Sequence, residues 1–145
     1  MAAVPFHYVD LRAFCYATED DARVETALRT FLPEEYSIER TETEGHSGDR
    51  ILVLSTRVDN ADDVRVVLDA LADLPDGTLR RLRAELDERV DDNASFFVRL
   101  DKQAAFAGEV ELGDGITLRA KVEAYPSTKE NAVENAREAL PKPGE

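Results

Sequence analysis

The chain has 145 residues, 43% hydrophobic and 7% aromatic, with one cysteine and no tryptophan. That is one globular domain's worth of chain, and it excludes a disordered tail, a fibrous repeat, an intramolecular disulfide and a cysteine-built zinc site. Asp and Glu number 31 against 18 Lys and Arg, a formal net charge of −13.

The opening MAAVPFHYVD has neither the basic nor the apolar region of a signal peptide. No apolar run approaches the roughly 18 residues of a membrane span. Both point to a cytoplasmic protein without a membrane partner. Residues 8–16 alternate as a strand, with Val9, Leu11, Ala13 and Cys15 on one side and Tyr8, Asp10, Arg12, Phe14 and Tyr16 on the other. A helix follows, its apolar stripe Val24, Ala27, Leu28, Phe31 and Leu32, with Thr18 as N-cap and Pro33 as its end. Residues 36–43 read as a weaker strand, 45–49 as a polar loop, and Arg50 to Val58 as a strand. Asn60 caps the next helix, and Leu74-Pro75-Asp76-Gly77 breaks it. A third helix carries Leu79, Leu82, Leu86 and Val90, and residues 95–101 form another strand. Residues 102–107 make a short helical turn or an irregular connection. Segments 109–112 and 116–125 read as a hairpin around Gly113-Asp114-Gly115. Ser127 and Glu130 form a capping box for a last helix ending at Leu140.

This order predicts a single α+β domain over 1–140, with a flexible tail at 141–145. The expected architecture has two layers, a largely antiparallel mixed sheet with helices packed on one face. The other sheet face is then open. On the last strand its side is Thr117, Arg119, Lys121, Glu123 and Tyr125, and its expected neighbours are Tyr8, Arg12, Phe14, Tyr16, Phe97 and Arg99. Rings interleaved with Arg and Lys suit single-stranded RNA, since rings stack on bases and guanidinium groups hold phosphates. The competing reading is that a dimer partner or a helix covers this side.

The charge is unevenly spread. Residues 1–18 and 95–129 are each neutral, whereas 19–44 carry nine acidic and three basic side chains. An acidic back and a near-neutral front are expected. The basic side comprises 14 Arg and only Lys102, Lys121, Lys129 and Lys142. Many carboxylates with few lysines keep a protein hydrated in concentrated salt, where the Debye length falls to about 3 Å at 1 M. A halophilic protein is the expectation, with an acidic partner surface as the alternative.

Three constellations carry possible chemistry. Gly45-His46-Ser47-Gly48-Asp49-Arg50 offers a phosphate contact on a glycine-flanked loop, or a plain hairpin turn in which Asp49 bonds its own backbone. As a general acid or base His46 lacks a visible second group, so a hydrolase reading ranks last. Lys102 and Gln103 stand at a strand exit where they could reach phosphate, sugar or base edges; Asp101 could instead simply cap the turn. Arg80-Arg81-Arg83 reads as a solvated ion-pair face. Cys15 reads as a buried core thiol. No metal site and no cofactor are indicated.

The strings HYVDLRAFCYATED, GHSGDRILVLS, LDKQAAFAGEVELGDGITLRAKVEAYP and NAREAL together resemble, over residues 6–140, the archaeal RNA-binding family described as predicted exosome subunits, in its haloarchaeal form. The resemblance implies a fold like that of large-ribosomal-subunit protein five, a role in binding RNA, and exosome or other RNA-processing proteins as partners. It carries over no catalytic residue, and a non-enzymatic protein is expected. On chemistry and spacing the matching strings nominate His46, Arg50, Lys102, Gln103, Arg119 and Lys121 as RNA contacts, with Arg12 and Arg99 joining them from the open face. Ser47 departs from the resemblance, which leads one to expect an aromatic there. The rival reading is a homodimeric protein-interaction module without RNA contact.

Overall fold

Period-two alternation lays down five strands, and amphipathic helices cover one side of them. The computed structural model describes residues 5–143. In chain order the elements are β1 (Phe6–Cys15), α1 (Asp21–Arg29), β2 (Glu39–Glu44), β3 (Arg50–Val58) and α2 (Ala61–Ala70). A short 3-10 turn, Leu71–Asp73, leads to α3 (Asp76–Ala84) and α4 (Leu86–Arg89). Then come β4 (Ser95–Asp101), α5 (Lys102–Phe106), β5 (Gly115–Val122) and α6 (Lys129–Ala139). The sheet order is β2-β3-β1-β5-β4. Every pairing is antiparallel, so the sheet is not mixed as expected. Leu140 closes α6, and of the expected tail residues 144 and 145 lie outside the described ones.

β1 sits in the middle because both its neighbours match its alternation. Val9, Leu11, Ala13 and Cys15 are buried, beside Val58, Thr56, Leu54 and Leu52 of β3 and, on the other flank, Ala120, Leu118 and Ile116 of β5. Phe96, Val98 and Leu100 extend the same face to the far edge. Val24, Ala27 and Leu28 of α1, Val64, Val67 and Leu68 of α2, and Ala132, Val133 and Ala136 of α6 close over it. Burying a Leu or Val side chain contributes about 1.5–3 kcal/mol, so this continuous apolar layer is what holds the sheet and helices together.

Two caps fall where the sequence places them: Asn60 accepts from Asp62 N–H at 2.9 Å, and Asp101 from Gln103 and Ala104 at 2.8 and 3.1 Å. Two do not. Asp20, not Thr18, caps α1, accepting from Ala22 N–H at 2.9 Å. Thr128, not Ser127, caps α6 through Asn131 N–H. In both, a competent oxygen lies closer to the helix than the predicted one.

The expected hairpin is also corrected. Segment 109–112 runs along the outer edge of β4, through a bridge between Leu112 and Leu100 and the Asp101 N–H to Glu111 carbonyl bond of 2.9 Å. Gly113-Asp114-Gly115 then carries the chain across the end of β4 to its inner side, where β5 pairs. The crossing is tight. A Cβ on Gly113 would lie 2.7 Å from Asp101 Cβ, which is why glycine stands there.

Candidate nucleic-acid interface

The side of the sheet away from the helices carries no helix, and strand register sets its side chains in rows. One row runs Phe97, Arg119, Asp10, Arg57; the next runs Arg99, Thr117, Arg12, Ser55, Glu39; Lys121 stands beside Tyr8. Phe97 and Phe14 are each a little over a third exposed and Tyr16 half exposed. No described helix covers this face, and the nominated Arg12, Arg99, Arg119 and Lys121 share it.

Their charges are not equally available. Arg57, which the sequence reading passed over, grips Asp10 in a fork, Nε to Oδ1 at 2.8 Å and Nη2 to Oδ2 at 3.0 Å, with its guanidinium 3.9 Å over the Tyr8 ring. This neutralises the one carboxylate in the middle of the face. The signal for it was the alternation itself, since Arg57 shares the phase of Ser55. Arg119 lies 5.7 Å from the Phe97 ring centroid. Among the described residues neither Arg119 nor Arg12 has a carboxylate partner. Arg99 meets Asp114 loosely at 3.5 Å, both well exposed. Lys121 donates to the Asn93 carbonyl.

The other nominated residues separate from this set. Arg50 points to the helix side, its Nη2 3.1 Å from Asp21 and its Nε 2.9 Å from Glu42. Arg40 joins the same Asp21 carboxylate at 3.1 Å. The Cys15 thiol's hydrogen bond, then that of Arg50 and the two guanidinium charges, hold the Asp21 carboxyl below its ordinary range. Burial first, then the Asp21 bond, pushes the Cys15 thiol up to about 11. Lys102 turns inward. Its Nζ donates to the Phe14 carbonyl at 2.8 Å and to Glu19 Oε1 at 2.7 Å, and it lies 5.3 Å from the Tyr16 ring. Burial pushes the Glu19 carboxyl up, but the Lys102 bond, the Tyr16 N–H and the Lys102 charge outweigh it and leave it lowered. Lys102 is thus a strut between β1, α5 and the 16–20 loop. Gln103, one residue on, is exposed; its backbone N–H donates to Asp101, and nothing among the described residues bonds its side-chain amide.

His46 is exposed in the turn between β2 and β3, and no described side chain bonds to it. That turn is held by backbone: Gly45 N–H donates to the Asp49 carbonyl at 2.7 Å and Gly48 N–H to the Gly45 carbonyl at 3.0 Å, with Gly48 at φ +82. Of the predicted Arg80-Arg81-Arg83 face, Arg81 meets Glu85 at 3.6 Å, while Arg83 donates to the carbonyls of Arg137 and Leu140, tying α3 to the end of α6. No described helix is long and apolar enough to cross a membrane.

An uncovered antiparallel sheet face with rings and unspent guanidinium groups is one way to hold RNA. A family described as RNA binding matches residues 8–122. The chain belongs to this RNA-binding family. It is 38% identical to an RNA-binding protein of Pyrococcus abyssi, over 92% of this chain and 93% of that one. Among solved structures it is similar to a protein of Archaeoglobus fulgidus, with a TM-score of 0.83, 29% identity, and 93% and 99% of the two chains covered. A protein of Methanothermobacter thermautotrophicus matches with a TM-score of 0.79 and 38% identity, over 93% and 98%. The α+β fold with its five-stranded antiparallel sheet is therefore the family's.

Proposed function

We propose that the protein is a non-catalytic RNA-binding protein that takes single-stranded RNA across the open face of the sheet. The observation that carries this is the pairing of rings with unspent cations. Arg12 and Arg119 lie in adjacent rows with no carboxylate of their own, next to Phe97 and within two rows of Phe14. Guanidinium groups hold phosphates and rings take bases, with stacking contributing about 1–3 kcal/mol per base. Because the acidic surplus and scarcity of lysine fit a high-salt cytoplasm, the binding has to rest on stacking and forked contacts rather than on bulk charge. An accessory role in RNA processing or degradation, with exosome components as partners, is the cellular setting we infer from the family resemblance.

The test is fluorescence anisotropy with single-stranded and duplex RNA in molar KCl, comparing wild type with Arg12→Ala/Arg119→Ala, folding followed by circular dichroism. Binding that survives high salt and is lost in the folded double variant supports this reading. Absence of wild-type binding at micromolar protein overturns it. A homodimer using the same face is favoured by one observation, the partial exposure of Phe14 and Phe97 together. Light scattering across a concentration series separates the two: a dimer that dissociates in Phe14→Ser/Phe97→Ser, without RNA affinity in either form, establishes that alternative.

A further inference from the structure

The open face ends at a corner where Tyr16 follows β1, α5 follows β4 and Gly115 begins β5. A cavity of about 620 Å³ opens there, within the usual range of small-ligand sites. Phe14 and Tyr16 give it two rings. Thr117 and the free amide of Gln103 give it neutral polar groups. Gly115, at φ +110, also lines it; a Cβ there would fall 2.5 Å from Lys102 Cβ, so only glycine lets the Lys102 stem lie against the backbone.

The electrostatics of this corner differ from those of the sheet beside it. Each cation bordering the cavity already has a carboxylate, Lys102 with Glu19 at 2.7 Å and Arg99 with Asp114 at 3.5 Å. A phosphate placed here would face two carboxylates, with Lys102 held closely by Glu19 and only Arg99, in a loose exposed pair, to offset them. A flat neutral ring would meet two aromatic side chains, a hydroxyl and a primary amide. An amide presents donors and an acceptor together, the set that reads the edge of a base. Across one strand from Thr117 stands Arg12, paired with it in the β1–β5 register and without a counter-ion, where the phosphate of the same or the adjoining nucleotide would need it.

We propose that this cavity receives one unpaired RNA base, stacked on Tyr16 and Phe14 and read at its edge by Gln103, while Arg12 holds the adjoining phosphate. The proposal rests on the reading that the open face takes single-stranded RNA and adds to it a position that discriminates bases. A base inside a duplex cannot enter, because its edge is occupied and its faces are stacked.

The experiment measures anisotropy of short labelled poly(A), poly(U) and poly(C) oligonucleotides and a blunt duplex, across a salt series. The proteins are wild type, Tyr16→Leu, Gln103→Ala and Arg12→Ala/Arg119→Ala, each checked by circular dichroism. Single strands are expected to bind at least about tenfold tighter than the duplex. Tyr16→Leu should weaken single-strand binding by about tenfold without changing the salt slope, because a stacking contact releases no counter-ions. Gln103→Ala should narrow the differences among the three homopolymers. Should Tyr16→Leu fail to fold, Gln103→Ala, an exposed side chain with no structural bond, decides the matter alone. Equal affinity for duplex and single strand overturns the cavity. So does wild-type behaviour of both Tyr16→Leu and Gln103→Ala while Arg12→Ala/Arg119→Ala loses affinity, and the RNA face then stands without it. Failure of wild type to bind any probe removes both.

Discussion

The two sides of the sheet use the same residue type for opposite purposes. On the helix side one cluster of arginines comes with acids: Arg40 and Arg50 converge on Asp21, Arg50 also holds Glu42, and Arg29 pairs with Glu25 within α1. On the open side the charges of Arg12 and Arg119 are unspent, and the one central carboxylate, Asp10, is closed off by Arg57. Arginine content alone therefore says little about where an anion binds. What matters is which guanidinium groups the fold leaves without a counter-ion and what stands beside them: among the described residues Arg23 and Arg65 on the helices also lack an ion pair, but Arg12 and Arg119 share the sheet face that carries Phe97 and Phe14. The Lys102–Glu19 pair stands at the boundary between the two regimes and belongs to the structural one.

The largest effect should come from breaking that boundary. Lys102→Met leaves Glu19 unpaired in a site where both side chains are mostly buried, and the expected loss is about 3 kcal/mol of unfolding free energy in urea titration. Lys102→Met/Glu19→Gln should recover a substantial part of it. If Lys102→Met instead unfolds like wild type and loses RNA, Lys102 belongs to the binding face after all. Next in size is Arg12→Ala/Arg119→Ala. The slope of log affinity against log salt should shrink by roughly 1.4, at about 0.7 per phosphate contact on a single strand, with little change in melting temperature. Arg50→Ala should do the reverse, lowering thermal stability slightly while leaving RNA affinity and salt slope as in wild type. An Arg50→Ala protein that binds RNA poorly would dissolve the contrast between the two sides.

Asp21 titrates below its ordinary value in the fold, so its contribution is present above the unfolded carboxyl pKa and is lost as pH falls through the lower folded one. Acid unfolding followed by circular dichroism should be shallower at its onset in Asp21→Asn. For Cys15 the sign is opposite in direction of pH. A thiol raised to about 11 stabilises the fold below the unfolded thiol pKa, and that contribution disappears as pH rises toward 11. Alkylation of native protein at mildly alkaline pH should accordingly be slow, and should speed up only as the fold opens.

Much of the architecture was legible in advance. Strand alternation assigned Arg12, Arg99, Arg119 and Lys121 to one side and the apolar partners to the other, and Asn60 and Asp101 cap as their positions demand. The misreadings share a cause. The segment 109–112 has strand character, but α5 brings it back along the free edge of β4 before the chain reaches β5, so the nearest strand in sequence is not its partner. Lys102 and Gln103 are adjacent and equally polar, yet one is buried and the other free, because only Lys102 points over Gly115 toward Glu19. Arg50 was nominated for its loop and is instead held by a helix formed earlier in the chain.

Which side chains share a face follows from local periodicity alone, because a strand's two-residue period and a helix's stripe need no partner. Periodicity says nothing of which charges remain available. The counter-ion of Arg50 on α1 lies 29 residues away, that of Arg57 47 and that of Lys102 83. Ion pairing acts over a few ångströms of space irrespective of separation along the chain, so the distinction between a structural cation and one left for a phosphate exists only once the sheet and helices have closed on each other.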